Sequence, residues 1–133
     1  MRAPRAVLKP VIFDASAVLA LLFDERGADV LIPLLPAALV PAVNLAEAAG
    51  KLADRGYPDE RIASVLRKFR VHATTRAVAL ASAEIRRQTR KLNFSLADRT
   101  SLATAKVLKA AVYTADRPWN AAELQGVTVV QFR

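Results

Sequence analysis

Val11-Ile12-Phe13-Asp14-Ala15-Ser16-Ala17-Val18-Leu19-Ala20-Leu21-Leu22 carries the clearest structural signal in the chain. Its first three residues are apolar and rich in β-formers, as in a short strand buried on both faces. Asp14 breaks the run, Ser16 follows two residues later, and from Ala17 onward good helix formers dominate. A strand that ends in an aspartate opening a helix is one half of a βαβ unit. In open parallel sheets, ligands bind outside the carboxyl ends of the strands. Asp14 is expected at that edge, with the remainder of the chain supplying its partners.

Outward from this unit, Asp24-Glu25-Arg26-Gly27 reads as a turn, and Ala28 to Leu35 as a short helix interrupted by Pro33 and Pro36. A second buried strand spans Ala37 to Val40. Pro41 can start the next helix, where a missing N–H is harmless; that helix runs to about Arg55 and stops at Gly56. Pro58-Asp59-Glu60 opens another helix, with acids at its positive end and Ile62, Val65, Leu66 and Phe69 on one face. Val71 to Ala73 reads as a third strand and Thr75 to about Lys91 as a long helix with Val78, Ala81 and Ile85 inward. Ser95-Leu96-Ala97-Asp98 has the form of a capping box opening a helix to about Lys109. Ala111 to Thr114 is a fourth strand and Val127 to Phe132 a fifth, alternating enough for a sheet edge. Strands separated by helical stretches predict an α/β fold. Its parallel sheet has about five strands in the order 3-2-1-4-5, with right-handed crossovers and helices on both faces.

The 133 residues suit one domain, and a hydrophobic content of 53% argues against disorder. With no cysteine and a single histidine, His72, neither thiolate metal sites nor multi-histidine zinc sites can be built. The basic N-terminus is followed by an apolar run cut by Asp14 and Asp24, which argues against a signal peptide or membrane span. A cytoplasmic location is the expectation. The net charge of +8 suits a polyanionic partner, though many ordinary domains are basic.

Four acids are candidates for chemistry, and each has an ordinary reading. Asp14 and Asp116 can cap the turns after their strands, Asp98 can be the third residue of its capping box, and Glu47 can pair with Lys51 at i, i+4. Together they mean more. In a 3-2-1-4-5 sheet, Asp14 and Asp116 follow neighbouring strands across the switch point, Glu47 lies early in the helix after strand two, and Asp98 opens the helix leading into strand four. All four can reach one cleft. Clustered carboxylates repel one another where water is excluded, so the cleft needs a compensating cation or raised pKa values. An oxygen-only ligand set favours Mg²⁺ or Mn²⁺, and such a metal can activate water and stabilise charge on a phosphoryl group.

Asp14-Ala15-Ser16-Ala17, Asn44-Leu45-Ala46-Glu47, Ser95-Leu96-Ala97-Asp98-Arg99 and Thr114-Ala115-Asp116-Arg117-Pro118-Trp119 come in the order and spacing of PIN-domain ribonucleases. The chain resembles a VapC-type toxin of a toxin–antitoxin system over nearly its whole length, residues 1–133 forming one PIN domain. The resemblance implies a metal-binding catalytic quartet of Asp14, Glu47, Asp98 and Asp116, with Ser16 as the hydroxyl beside the first aspartate and Thr114 in support. It implies a metal-dependent endoribonuclease cleaving structured RNA (tRNA or rRNA), a cognate VapB-type antitoxin and a toxin homodimer. Arg86, Arg90, Arg99 and Arg117 are candidate RNA contacts, although Arg86 and Arg90 equally suit a solvated helix end. His72 and Trp119 read as structural. A PIN-domain RNA-processing nuclease that is not a toxin is an alternative. A receiver-like Mg²⁺-binding phospho-signalling module also clusters acids at strand ends, but it would place a lysine after the last strand and an acidic pair near the first. No lysine follows Lys109 and no acid adjoins Asp14. A haloacid dehalogenase-like phosphatase would need Asp-x-Asp, and position 16 is Ser.

Overall fold

A computed structural model describes residues 9–121 and 124–133. The elements run β1 (Val11–Phe13), α1 (Ala15–Phe23), α2 (Ala28–Leu31), a 3₁₀ segment (Ile32–Ala37), β2 (Ala38–Pro41), α3 (Ala42–Asp54) and α4 (Asp59–Leu66). There follow β3 (Arg70–His72), α5 (Arg76–Gln88), α6 (Leu96–Leu108), β4 (Ala111–Thr114), a second 3₁₀ segment (Arg117–Ala121) and β5 (Val129–Gln131). The five strands form one all-parallel sheet in the order β3-β2-β1-β4-β5, as the sequence predicted.

The pleat divides the core in two. Successive side chains of a strand point to opposite faces, and in β1 Ile12 and Phe13, both fully buried, belong to different clusters. Phe13 packs with Val18, Leu31, Val40, Leu52, Leu66 and Phe69, the face covered by α1, α3 and α4. Ile12 packs with Val78, Ile85, Leu102, Val112 and Trp119, the face covered by α5 and α6. Both faces of this three-residue strand are dry, which is why it reads as an unbroken apolar run. On the α4 face, Leu66 and Phe69 are buried, with Ile62 and Val65 packed against them, as a core stripe requires.

Several boundaries differ from the sequence reading: β2 and β3 shift by one residue, so that Pro41 closes β2 and caps α3 instead of starting it, and three further segments change in extent or form. The segment after α2 tightens to 3₁₀, since Pro33 and Pro36 lack the N–H groups an α-helix would use. Helix α5 ends at Gln88 rather than Lys91, with the buried Thr89 as its C-cap, N–H and hydroxyl both donating to the Ile85 carbonyl, at 3.0 Å and 2.7 Å. Strand β5 keeps only Val129–Gln131 of the longer stretch expected.

One glycine is required by a close approach. Gly27 has φ +91°, and a Cβ there would lie 2.6 Å from the Phe132 carbonyl oxygen. The α1–α2 turn can therefore lie directly on the end of the chain after β5. Arg133 is held there, donating to the Arg26 carbonyl at 3.3 Å and lying 3.8 Å from a Glu25 carboxylate oxygen.

Candidate active site

At the carboxyl edge of the sheet, a cavity of about 290 Å³ is lined by Asp14, Ala15, Ser16, Asn44, Glu47, Lys51, Asp98, Ala115, Asp116 and Arg133. All four acids expected from the sequence meet there. Each comes from a different junction: β1 into α1, the first turns of α3, the start of α6, and the exit of β4.

Asp14 is the most constrained. It is buried, and as the N-cap of α1 its Oδ1 accepts from the Ala17 N–H at 3.0 Å. The Ser16 hydroxyl donates to the same oxygen at 2.6 Å, and the Thr114 hydroxyl donates to Oδ2 at 2.6 Å. Each hydroxyl in turn accepts from the backbone beyond β4: Ser16 from Ala115 N–H and Thr114 from Asp116 N–H, both at 2.9 Å. Two parallel relays thus run from the β4 exit into one carboxylate and lock the ends of β1 and β4 together. Hydrogen bonds to the charged form lower a carboxyl pKa and burial raises it. Here burial wins: Asp14 is pushed from 3.8 up to about 6 despite the Ser16, Thr114 and Ala17 donors, with the Asp98 charge adding a little.

The other acids are half-buried. Asp98 is the third residue of α6, and its capping box is complete: Ser95 Oγ accepts from Asp98 N–H at 3.1 Å, and Asp98 Oδ2 accepts from Ser95 N–H at 3.0 Å. Capping and lining the cavity are compatible duties for one carboxylate, because Oδ1 remains for the cavity. Asp116 is raised by burial and by the Asp98 charge, and eased down by the nearby Trp119 indole N–H. That N–H is buried and makes no hydrogen bond of good geometry with any described group. Glu47 is raised by burial and by the Asp98 and Asp116 charges, while Lys51 lowers it. The Glu47–Lys51 spacing read from the sequence as a surface pair is therefore part of the cavity wall.

The donor set fits a divalent cation. Every acid is a hard oxygen ligand, and burial together with neighbouring negative charge disfavours the ionised forms of Asp14, Glu47 and Asp116 until positive charge is supplied. Among the described residues no three acids form a ready-made ligand cluster. Glu47 and Asp116 are partly exposed, Asp98 is held through Oδ2 alone, and Asp14 is held through both oxygens.

The arginines divide differently from the sequence expectation. Arg86, Arg90 and Arg117 are exposed, and the Arg99 guanidinium donates to the Phe94 carbonyl at 2.8 Å. The cations lining the cavity are Lys51 and Arg133 instead. Arg133 was legible in principle: a parallel β5 must end at the same edge as β1 and β4, so a basic residue just beyond it arrives beside the acids. Trp119 is a core residue, 1% exposed and 6.0 Å from Phe94 between ring centroids.

The five strands run parallel in the order β3-β2-β1-β4-β5, and four carboxylates converge beyond the carboxyl ends of β1 and β4. The family model for the PIN domain matches residues 11–123, and the chain belongs to the PIN-domain family. No curated protein gives a significant match. Among solved structures, a toxin–antitoxin complex from Klebsiella pneumoniae superposes with a TM-score of 0.73 at 21% identity, covering 92% of this chain and 98% of that one. DNA-bound VapBC from Salmonella typhimurium gives a TM-score of 0.75 at 12% identity, covering 95% and 100%. VapBC2 from Rickettsia felis, bound to a fragment of its promoter, gives 0.72 at 12%, covering 90% and 96%.

Proposed function

We propose that this chain is a divalent-metal-dependent endoribonuclease and the toxin of a toxin–antitoxin pair. The observation that carries the nuclease reading is the convergence of Asp14, Glu47, Asp98 and Asp116 on one cavity. Bound there, Mg²⁺ or Mn²⁺ would supply a Lewis acid for the phosphodiester and a lowered pKa for attacking water. The residues divide the remaining work. Asp14 is the rigid anchor, held by Ser16 and Thr114; Asp98, held in its capping box through Oδ2, offers its other oxygen, and Glu47 and Asp116 supply carboxylates that can adjust to the ion. A half-buried carboxylate with a raised pKa is also suited to take a proton during attack, and Glu47 and Asp116 both qualify. Lys51 and Arg133 place positive charge at the cavity wall, where an RNA phosphate would lie.

The toxin reading rests on the four ordered motifs and on the likeness in fold to proteins solved as toxin–antitoxin complexes. It carries with it a VapB-type antitoxin partner, a homodimer and a structured RNA substrate. Family membership sets aside the receiver-like module. Among the described residues no helix is long and apolar enough to cross a membrane.

The deciding experiment measures cleavage of total RNA by purified protein in Mg²⁺, in Mn²⁺ and in EDTA, beside Glu47→Gln. The variant is informative because position 47 has no capping duty. Cleavage should need the metal and vanish in the folded variant; full activity in EDTA would sink the metal mechanism. Growth arrest on expression alone, relieved by co-expressing an adjacent small gene, tests the toxin half separately.

A further inference from the structure

We propose that Asn44 is a neutral oxygen donor of the metal site, its Oδ1 serving a divalent cation directly or through one of the cation's waters. This rests on the metal-dependent reading above and adds a residue to it. Asn44 is fully buried in the first turn of α3 and lines the acid cavity. Its Nδ2 donates to the Ala97 carbonyl, 3.4 Å away, in the residue preceding Asp98. A carbonyl only accepts, so this contact fixes which way the amide faces. The Oδ1 atom is left buried with no hydrogen-bond donor among the described residues.

Burying an acceptor without a donor destabilises a fold, and no described group supplies that donor. Four of the side chains that line the cavity with Asn44 are carboxylates, which are acceptors when ionised. Lys51 sits two turns further along α3, about 10 Å up the axis, and its charge acts on Glu47. A species bound in the cavity can supply the missing partner. A divalent cation meets the need, because amide carbonyls join carboxylates as hard oxygen ligands and Mg²⁺ retains waters that donate strongly. Asn44 thus ties α3 to the start of α6 with one end of its amide and faces the ion with the other.

Mn²⁺ binding to the purified full chain, measured by calorimetry, tests the assignment with no reference to cleavage. Each variant is first checked for folding by circular dichroism. Asn44→Leu keeps the volume but removes the oxygen, and should weaken Mn²⁺ binding by about 10- to 100-fold, as loss of a metal site's supporting shell does. Asn44→Asp keeps an oxygen but cannot donate to Ala97 when ionised; it should bind Mn²⁺ at least about threefold tighter than wild type, in keeping with the dependence of affinity on ligand charge. Ala46→Asp puts the same charge at an exposed position of α3 and should stay within about twofold, since solvent screens it. Binding by Asn44→Leu within twofold of wild type overturns the proposal. So does weakening in both Asn44 variants, which would leave only the tether to Ala97, or a gain in Asn44→Asp no larger than in Ala46→Asp. Where Asn44→Leu does not fold, the two aspartate variants decide. A wild-type protein that binds no Mn²⁺ overturns the metal reading itself, a result distinct from any of these.

Discussion

Asp14 and Asp98 occupy similar local positions and live in opposite surroundings. Both are acids at helix N-termini, and both accept from backbone N–H groups of their own turn. Asp14 is buried where β1 meets β4, with donors on both oxygens, and burial still holds its pKa near 6. Asp98 sits half-exposed, secured through one oxygen by a capping box that would stabilise α6 on any protein surface. A capping geometry alone therefore does not separate a structural acid from a candidate ligand: both caps open onto the same cavity, and only one of them is buried. A cap works as well in solvent, so burying the Asp14 carboxylate beside other carboxylates carries a cost that a bound cation would compensate.

The largest expected effect comes from removing one charge from each. Asp14→Asn and Asp98→Asn should both reduce cleavage by more than about a hundredfold, as loss of a metal ligand does. Their stabilities should then separate. Asparagine caps about as well as aspartate, so the metal-free Asp14→Asn protein is relieved of a buried charge and should melt no lower than wild type at pH 7. Asp98→Asn relieves little and weakens the box, so it should melt slightly lower. Paired melting curves and cleavage assays check both halves. Wild-type cleavage by either folded variant would return that acid to a purely structural role.

The comparison also shows what the sequence could carry. The strand order, the four acids and the burial of the Ile62–Phe69 face were legible because each depends on local pattern plus the handedness of parallel crossovers. Asn44, by contrast, looked like one more polar residue on the same helix side as Glu47 and Lys51. Only the approach of the α6 N-terminus, 53 residues away, buries it. Arg86 and Arg90 were weighed as phosphate contacts on charge alone, yet nothing local tells which cations face a cleft. The two that do reach it by a helix periodicity shared with Glu47 and by the course of the last parallel strand.

A second expected effect, of a few kcal/mol at most, is in pH. Asp14 holds its proton more tightly folded, at about 6, than its ordinary 3.8. Between those values the folded state carries more protons than the unfolded one, so stability falls as pH rises through the window and levels off above it. Glu47 and Asp116 are raised in the same direction. The melting temperature of the metal-free protein should therefore decline between about pH 4 and pH 6. Saturating Mg²⁺ should flatten that decline by stabilising the ionised forms, and Asp14→Asn should flatten it without metal. A melting temperature that rises steadily over this range in EDTA would mean that burial does not dominate at Asp14.

The smallest expected effects come from the hydroxyls that serve the two acids, and they sharpen the contrast furthest. Thr114→Val is nearly isosteric, but it leaves the Asp14 Oδ2 and the Asp116 N–H without their partner in a buried site. Each unmet group costs about 1–3 kcal/mol, and the aspartate it served can then rotate, so cleavage should fall roughly tenfold, as when a supporting hydrogen bond of a metal ligand is lost. Ser95→Ala removes a cap acceptor of the kind worth about 1 kcal/mol. The Ser95 backbone N–H still holds Asp98 Oδ2, so the carboxylate keeps its place and cleavage should change by less than about threefold. Thr114→Val should thus cost more stability than Ser95→Ala as well as more activity, because the Thr114 hydroxyl holds the Asp14 carboxylate itself and the Ser95 hydroxyl holds only a helix end. Equal losses of activity, at matched protein concentration and well below both melting temperatures, would show that the α6 cap positions Asp98 as tightly as Thr114 positions Asp14.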